Sequence, residues 1–177
     1  MIIETFGRKR FEFIELGFLQ YCSQRRDFFD EFKRHLPFYG QLKNFGDLRD
    51  LRVLTKGIIV DVTRDSSEFI QVKFKPGFIT DLASTPRIIR GIIDNDDPVM
   101  LNAVLMHDYG FSTHYRSFRE VNLLFKEMLL ESGYSRFKTQ LAYMAVNSIF
   151  ARRRWNKSLK RKSYTLETTE RCDDGRK

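Results

Sequence analysis

His107 and Asp108 stand side by side in the stretch "AVLMHDYGFSTHY", residues 103–115. An imidazole next to a carboxylate can draw a proton from water, or the pair can help to hold a cation. The stretch reads as an amphipathic helix. On it Leu101, Val104, Leu105 and Asp108 share one face, and Met100, Ala103 and His107 share the next. His107 therefore borders the core. Asp108 points to an otherwise apolar side, where a carboxylate needs a donor or a cation. A following helix carries the stripe Val121, Leu124, Phe125, Met128 and Leu129, with Asn122 on its flank. An amide there can face His107 across an antiparallel pair and fix the imidazole tautomer. The same residues also serve a purely structural reading, in which Asp108 accepts from a loop N–H and His107 is a satisfied boundary residue.

A second cluster lies in "FITDLASTPR". Asp81 follows a strand. Ser84 or Thr85 caps a short helix whose first position is Pro86, with Arg87 in the first turn. Ser84, Thr85 and Arg87 thus form a candidate anion site at a helix N-terminus. Asp81 together with Asp108 offers oxygen ligands to a divalent cation. The alternative is a plain strand-to-helix connection in which Asp81 bonds its own turn.

The third candidate is the basic run "ARRRWNKSLKRK", residues 151–162. Arg152, Arg153, Arg154, Lys157, Lys160, Arg161 and Lys162 surround Trp155. Cations around an aromatic suit nucleic acid or an anionic membrane surface. A solvated helix end, where cations complement the dipole, is the other reading. The formal net charge of +8 favours anionic partners in general.

These residues must be positioned by a folded chain. Residues 48–80 read as strands. "LRVLTKGIIVDV" is apolar and β-branched, and "SSEFIQVKFKPGFIT" alternates, with Ile70, Val72 and Phe74 on one side. The turn "TRDSSE" joins the two as an antiparallel hairpin. Three helices follow. The first is "PVMLNAVLMHDYGF". "SFREVNLLFKEMLLESG" has a capping box from Ser117 and Glu120 and a stop at Gly133. "SRFKTQLAYMAVNSIFARRRW" has Leu141, Met144 or Ala145, Ser148 and Ile149 on its buried side. The expected fold is α+β: a small antiparallel sheet packed against three C-terminal helices, with an N-terminal strand and helix extension. The boundaries are 1–47 for the extension, 48–162 for the main domain and 163–177 for a polar tail that frays.

With 42% hydrophobic and 31% charged residues, a packed core is expected rather than disorder. Cys22 and Cys172 are too few and too far apart for a zinc cluster. The charged N-terminus lacks the apolar run of a signal peptide, and no stretch reaches the roughly 20 apolar residues of a membrane span. The expected location is a cytoplasm or a particle assembled there.

The pattern "FKPGFITDLASTPR…AVLMHDYGF…REVNLLFKEML" resembles a family of short phage and prophage proteins of uncharacterised function. The resemblance covers roughly residues 50–155. It implies a phage or prophage origin and other phage structural proteins as partners. The His-Asp helix is also similar, more loosely, to that of the phospholipase A2 superfamily, its viral capsid version included. That similarity implies that His107 activates water, Asp108 holds calcium, and position 122 orients the histidine. The superfamily has Asp where this chain has Asn122, and no Gly-rich calcium loop precedes the helix. The implied chemistry is hydrolysis of a lipid or cell-wall bond. The alternative is a non-catalytic head or tail component that binds nucleic acid or another subunit through its basic face.

Overall fold

Alternation of apolar and polar residues over Glu68–Phe74 puts Ile70, Val72 and Phe74 on one face of a strand, and all three are buried. Lys73, between them, is exposed. The computed structural model describes residues 2–6, 13–15, 52–54, 57–64, 68–80, 98–159 and 162–172. Strand β4 (Ile58–Arg64) and strand β5 (Glu68–Phe74) form the expected hairpin, in a register that sets Val60 opposite Val72 and Val62 opposite Ile70. Strand β1 (Ile2–Phe6) pairs with the outer edge of β4, and β7 (Thr169–Cys172) with that of β5. All pairs in this four-stranded sheet are antiparallel. A second sheet joins β2 (Phe13–Glu15), β3 (Arg52–Leu54) and β6 (Ile79–Thr80), also antiparallel. Gly77, at φ 97°, makes the tight turn between β5 and β6, a backbone state that costs glycine little.

Among the described residues five helices join the sheets in an α+β fold: α1 (Pro98–Thr113), α2 (Phe118–Glu131), α3 (Arg136–Val146), α4 (Ile149–Ser158) and α5 (Lys162–Thr168). Helix α1 is central and packs against α2, α4 and α5. It is buried nearly all round from Met100 to Thr113, with Asn102, Asp108 and Phe111 half-buried. The expected amphipathic helix is therefore a core helix, and its low polarity on every side is the reason. Its residues Met100, Val104, Leu105 and Tyr109 join Val60, Val72, Phe74, Phe125 and Met128 in one apolar core.

Several expectations change. The third helix is broken at Asn147–Ser148, because Ser148 accepts from the Ala151 N–H and starts α4 as its N-cap. The break rotates the faces. The buried residues of α3 are Thr139 and Ala142, whereas Met144 and Ile149 are exposed. The C-terminal residues are not a frayed tail as far as Cys172. Thr169–Cys172 extends the main sheet, and Glu170 is held by Lys75 at 2.6 Å and Lys73 at 3.4 Å. The ion pair with Lys75, then Lys73, holds the Glu170 carboxyl below its ordinary range. The first residues supply strands to both sheets, β1 to the four-stranded one and β2 to the three-stranded one. The helix expected in the N-terminal extension and the short helix expected after Thr85 lie outside the described residues.

The loop after α1 is short, so α2 returns against it. The capping box is formed as expected: Ser117 accepts from the Glu120 N–H, and Glu120 accepts from the Ser117 N–H. The two helices come close together at Gly110. A Cβ there would stand 2.9 Å from both γ-methyls of Val121 and 3.0 Å from Tyr115 Cε1. Gly110→Ala gains helix propensity worth up to about 1 kcal/mol. Overpacking costs roughly 1–3 kcal/mol and wins here, because neither rotation nor exposure relieves a buried branched Val121. Thermal melting should show a Tm lowered by a few degrees.

Candidate functional site

Residue 107 lies three turns into α1, where the helix faces the start of α2. His107 is 6% exposed, and its ring sits between Phe111 and Phe125, with centroids 5.4 and 5.0 Å away. Its Nε2 lies 2.9 Å from Oδ1 of Asn122, which is wholly buried. The Asn122 amide is oriented from its other end. Its Nδ2 donates to the Val146 carbonyl at 3.2 Å and to Asn147 Oδ1 at 3.4 Å. The amide oxygen can only accept, so His107 Nε2 carries the proton and donates it. In the neutral ring the lone pair is then on Nδ1.

That Nδ1 is buried and has no hydrogen-bond partner. Asp108 Oδ1 stands 3.9 Å from it, too far for a hydrogen bond. Two acceptors thus face each other across a gap. The other carboxylate oxygen, Asp108 Oδ2, accepts from the hydroxyl of Thr80 at the end of β6. The Asp108 side chain is 14% exposed and that of His107 7%. The end of β6 and the α1 face that carries Asp108 therefore meet at this point.

The chain brings together His107, Asp108 and Asn122 of the expected site residues. Asp81, Ser84, Thr85 and Arg87 lie outside the described residues, although Thr80 immediately precedes Asp81. Among the described residues no group of three or more His, Cys, Asp or Glu side chains is placed to hold a metal ion. Sequence reasoning overlooked Thr80, which is the first residue of the "TDLASTPR" motif. It also overlooked Asn147 and the Val146 carbonyl, which orient Asn122. A buried Asn needs partners at both ends of its amide, and that requirement was the available signal.

A family model for proteins of unknown function, DUF1353, matches residues 58–146. The chain belongs to the DUF1353 family. No curated protein and no solved structure matches it. The DUF1353 match runs from β4 to the end of α3, so it contains Thr80, His107, Asp108 and Asn122. It stops before α4 and the basic run.

Outside the DUF1353 match, the basic run is arranged differently from the expectation. Trp155 does not accompany the cations outward. It stacks on His114 with centroids 3.7 Å apart and presents its edge to Phe111 and Phe118. His114 ends α1 in the left-handed region, at φ 52°. Its Nε2 reaches the Trp155 carbonyl at 3.0 Å and Ser158 Oγ at 2.9 Å. Burial holds the His114 imidazole below its ordinary pKa, against the opposing pull of the Trp155 carbonyl. This cluster clamps α4 to the end of α1. Arg152, Arg153, Arg154, Lys157 and Lys162 are exposed, and Lys160 and Arg161 lie outside the described residues.

Proposed function

We propose that this DUF1353 protein is a hydrolase of phage or prophage origin, with His107 as its general base. The observation that carries the reading is the buried, unpartnered Nδ1 of His107 facing the Asp108 carboxylate. A water between them donates one hydrogen to Nδ1 and the other to Asp108 Oδ1. The proton moves to Nδ1 as the water oxygen attacks the ester or amide centre, and the imidazolium later returns it to the leaving group. Asn122 holds the ring throughout by accepting from Nε2–H. Asp81, next to Thr80, and Asp108 would hold a divalent cation, which would supply Lewis-acid polarisation of the attacked group. Ser84, Thr85 and Arg87 are assigned to an anionic part of the substrate.

The substrate class is a lipid or cell-wall bond, and the working place is the host cytoplasm or the virion, beside other phage structural proteins. No described helix is long and apolar enough to cross a membrane. The test incubates the full chain with phospholipid vesicles and with peptidoglycan, in calcium, magnesium, manganese or chelator, and follows product release by mass spectrometry. Release that depends on a cation and on His107 is expected. No release from either substrate under any condition would remove the hydrolytic assignment.

A second reading has its own support. Asn122 is wholly buried and ties α1, α2 and α3 together, which is what a purely structural His–Asn pair would do. Under that reading the chain is a non-catalytic particle component.

A further inference from the structure

Helices α3 and α4 carry a surface that the hydrolytic site does not use. Residues 132–166 contain nine Lys and Arg residues and no Asp or Glu. The chain has 31 cations and 23 acids, so 22 cations and 23 acids remain elsewhere. The entire net positive charge therefore belongs to this segment. Of the seven large hydrophobic side chains exposed among the described residues, six lie in the same segment, and only Leu130 does not.

The arrangement on the helices is specific. Phe137 and Met144, 70% and 60% exposed, are seven residues apart on one face of α3. Ile149 and Phe150, 73% and 75% exposed, open α4 directly after the Asn147–Ser148 break. Along α4, Phe150, Arg153, Arg154 and Lys157 follow the spacing i, i+3, i+4, i+7, so one outward stripe is headed by a phenyl ring and continued by three cations. The inward side of α4 is taken by Trp155 and Ser158, through His114 and the Phe111 carbonyl. Among the described residues the outward side has no such anchor.

We infer that the outward face of α3 and α4 docks on an anionic phospholipid bilayer, with Met144, Ile149 and Phe150 entering the interface and Arg153, Arg154 and Lys157 meeting headgroups. Charge complementarity selects an anionic partner, and the apolar side chains select among anionic partners. Exposed Met and Ile side chains find no use on a phosphate backbone, and the aromatic suited to base stacking, Trp155, is turned inward. A bilayer interface buries the apolar residues and neutralises the cations together. The inference stands apart from the chemistry at His107, although a lipid surface suits a lipid-directed hydrolase.

The test is sedimentation of the full chain with phosphatidylcholine vesicles, with and without phosphatidylglycerol, beside a gel-shift assay on duplex DNA. Binding is expected only to the anionic vesicles and should weaken as salt is raised. The triple change Arg153→Gln, Arg154→Gln, Lys157→Gln should lower partitioning about 100-fold, at roughly 1 kcal/mol per headgroup cation. Ile149→Ser with Phe150→Ser should lower it by about tenfold or more while the charge is unchanged. His107→Gln should leave vesicle binding intact, so failure of the hydrolytic reading and failure of this one are separable. Three results overturn the inference: no binding to anionic vesicles; vesicle binding that ignores the Ile149 and Phe150 changes while DNA binding follows the cations; or a dimer dispersed by Phe150→Ser in a protein that ignores vesicles. Ile149, Phe150, Arg153, Arg154 and Lys157 are all exposed, so circular dichroism should show an unchanged fold in the variants that replace them.

Discussion

His107→Gln should eliminate hydrolysis and leave the protein folded. Glutamine keeps much of the ring's volume between Phe111 and Phe125, and its amide can still donate to Asn122 Oδ1. It lacks a nitrogen that can take a proton. Losing a general base lowers the rate by roughly 10²–10⁴-fold. Asp108→Asn should act in the same direction, because the Thr80 hydroxyl still finds an acceptor on residue 108 while the negative charge facing Nδ1 is lost. His107→Ala is the less clean variant. It orphans the buried Asn122 oxygen, at about 1–3 kcal/mol, and empties the space between two phenyl rings. For a chain of this size each kcal/mol lowers Tm by about 2–4 °C. The decisive measurement therefore pairs a melting curve with product release for all three variants. Full activity in His107→Gln would sink the general-base assignment. A fold lost in every variant, with no activity in the parent, would leave the pair as a structural tie.

The helices that carry this pair were legible where local chemistry decides. Ser117 and Glu120 announced the start of α2, and Gly133, at φ 82°, its end. Alternation over Glu68–Phe74 announced β5, and the intervening polar turn announced its hairpin with β4. The juxtaposition of His107 and Asn122 was also legible, since a short loop forces α1 and α2 to be antiparallel neighbours and both residues lie on facing flanks. The break at Ser148 was harder to see. A serine in mid-helix and a serine at an N-cap look alike in a periodic run, and the two readings place different residues inside. One helix would have buried Met144 and Ile149. Two helices expose them and bury Ala142 instead. The strand Thr169–Cys172 was hidden for another reason. "TERC" is polar and short, and it becomes a strand because β5 has an open edge and lysines at positions 73 and 75 that receive Glu170. Long-range pairing of that kind leaves little local trace.

Asn122→Asp is the change that the similarity to the phospholipase A2 superfamily recommends, and its expected outcome is a destabilised protein. The carboxylate would still accept from His107 Nε2–H, so one hydrogen bond survives. At its other oxygen it would face the Val146 carbonyl and Asn147 Oδ1, to which the Asn122 Nδ2 now donates. Both are acceptors in this arrangement. Two hydrogen bonds become two repulsive contacts at a wholly buried position. Asn147 can rotate its amide to present a donor. The Val146 carbonyl belongs to the end of α3 and cannot. A buried polar group left without its partner costs about 1–3 kcal/mol, and more for a charged one, so a loss above about 3 kcal/mol is expected. On the same scale Tm falls by about 6–12 °C. The carboxylate can escape part of this by taking up a proton, and the loss should then ease as pH is lowered. The sign follows from linkage: a carboxyl whose folded pKa is raised binds more protons folded than unfolded, so stability rises as pH falls toward its unfolded pKa. Melting Asn122→Asp and the parent from pH 7 to pH 5 should therefore bring the two curves closer together. A variant as stable as the parent at pH 7 would show that residue 122 tolerates the superfamily's carboxylate, and would place the donor to Val146 outside what holds α3 in position.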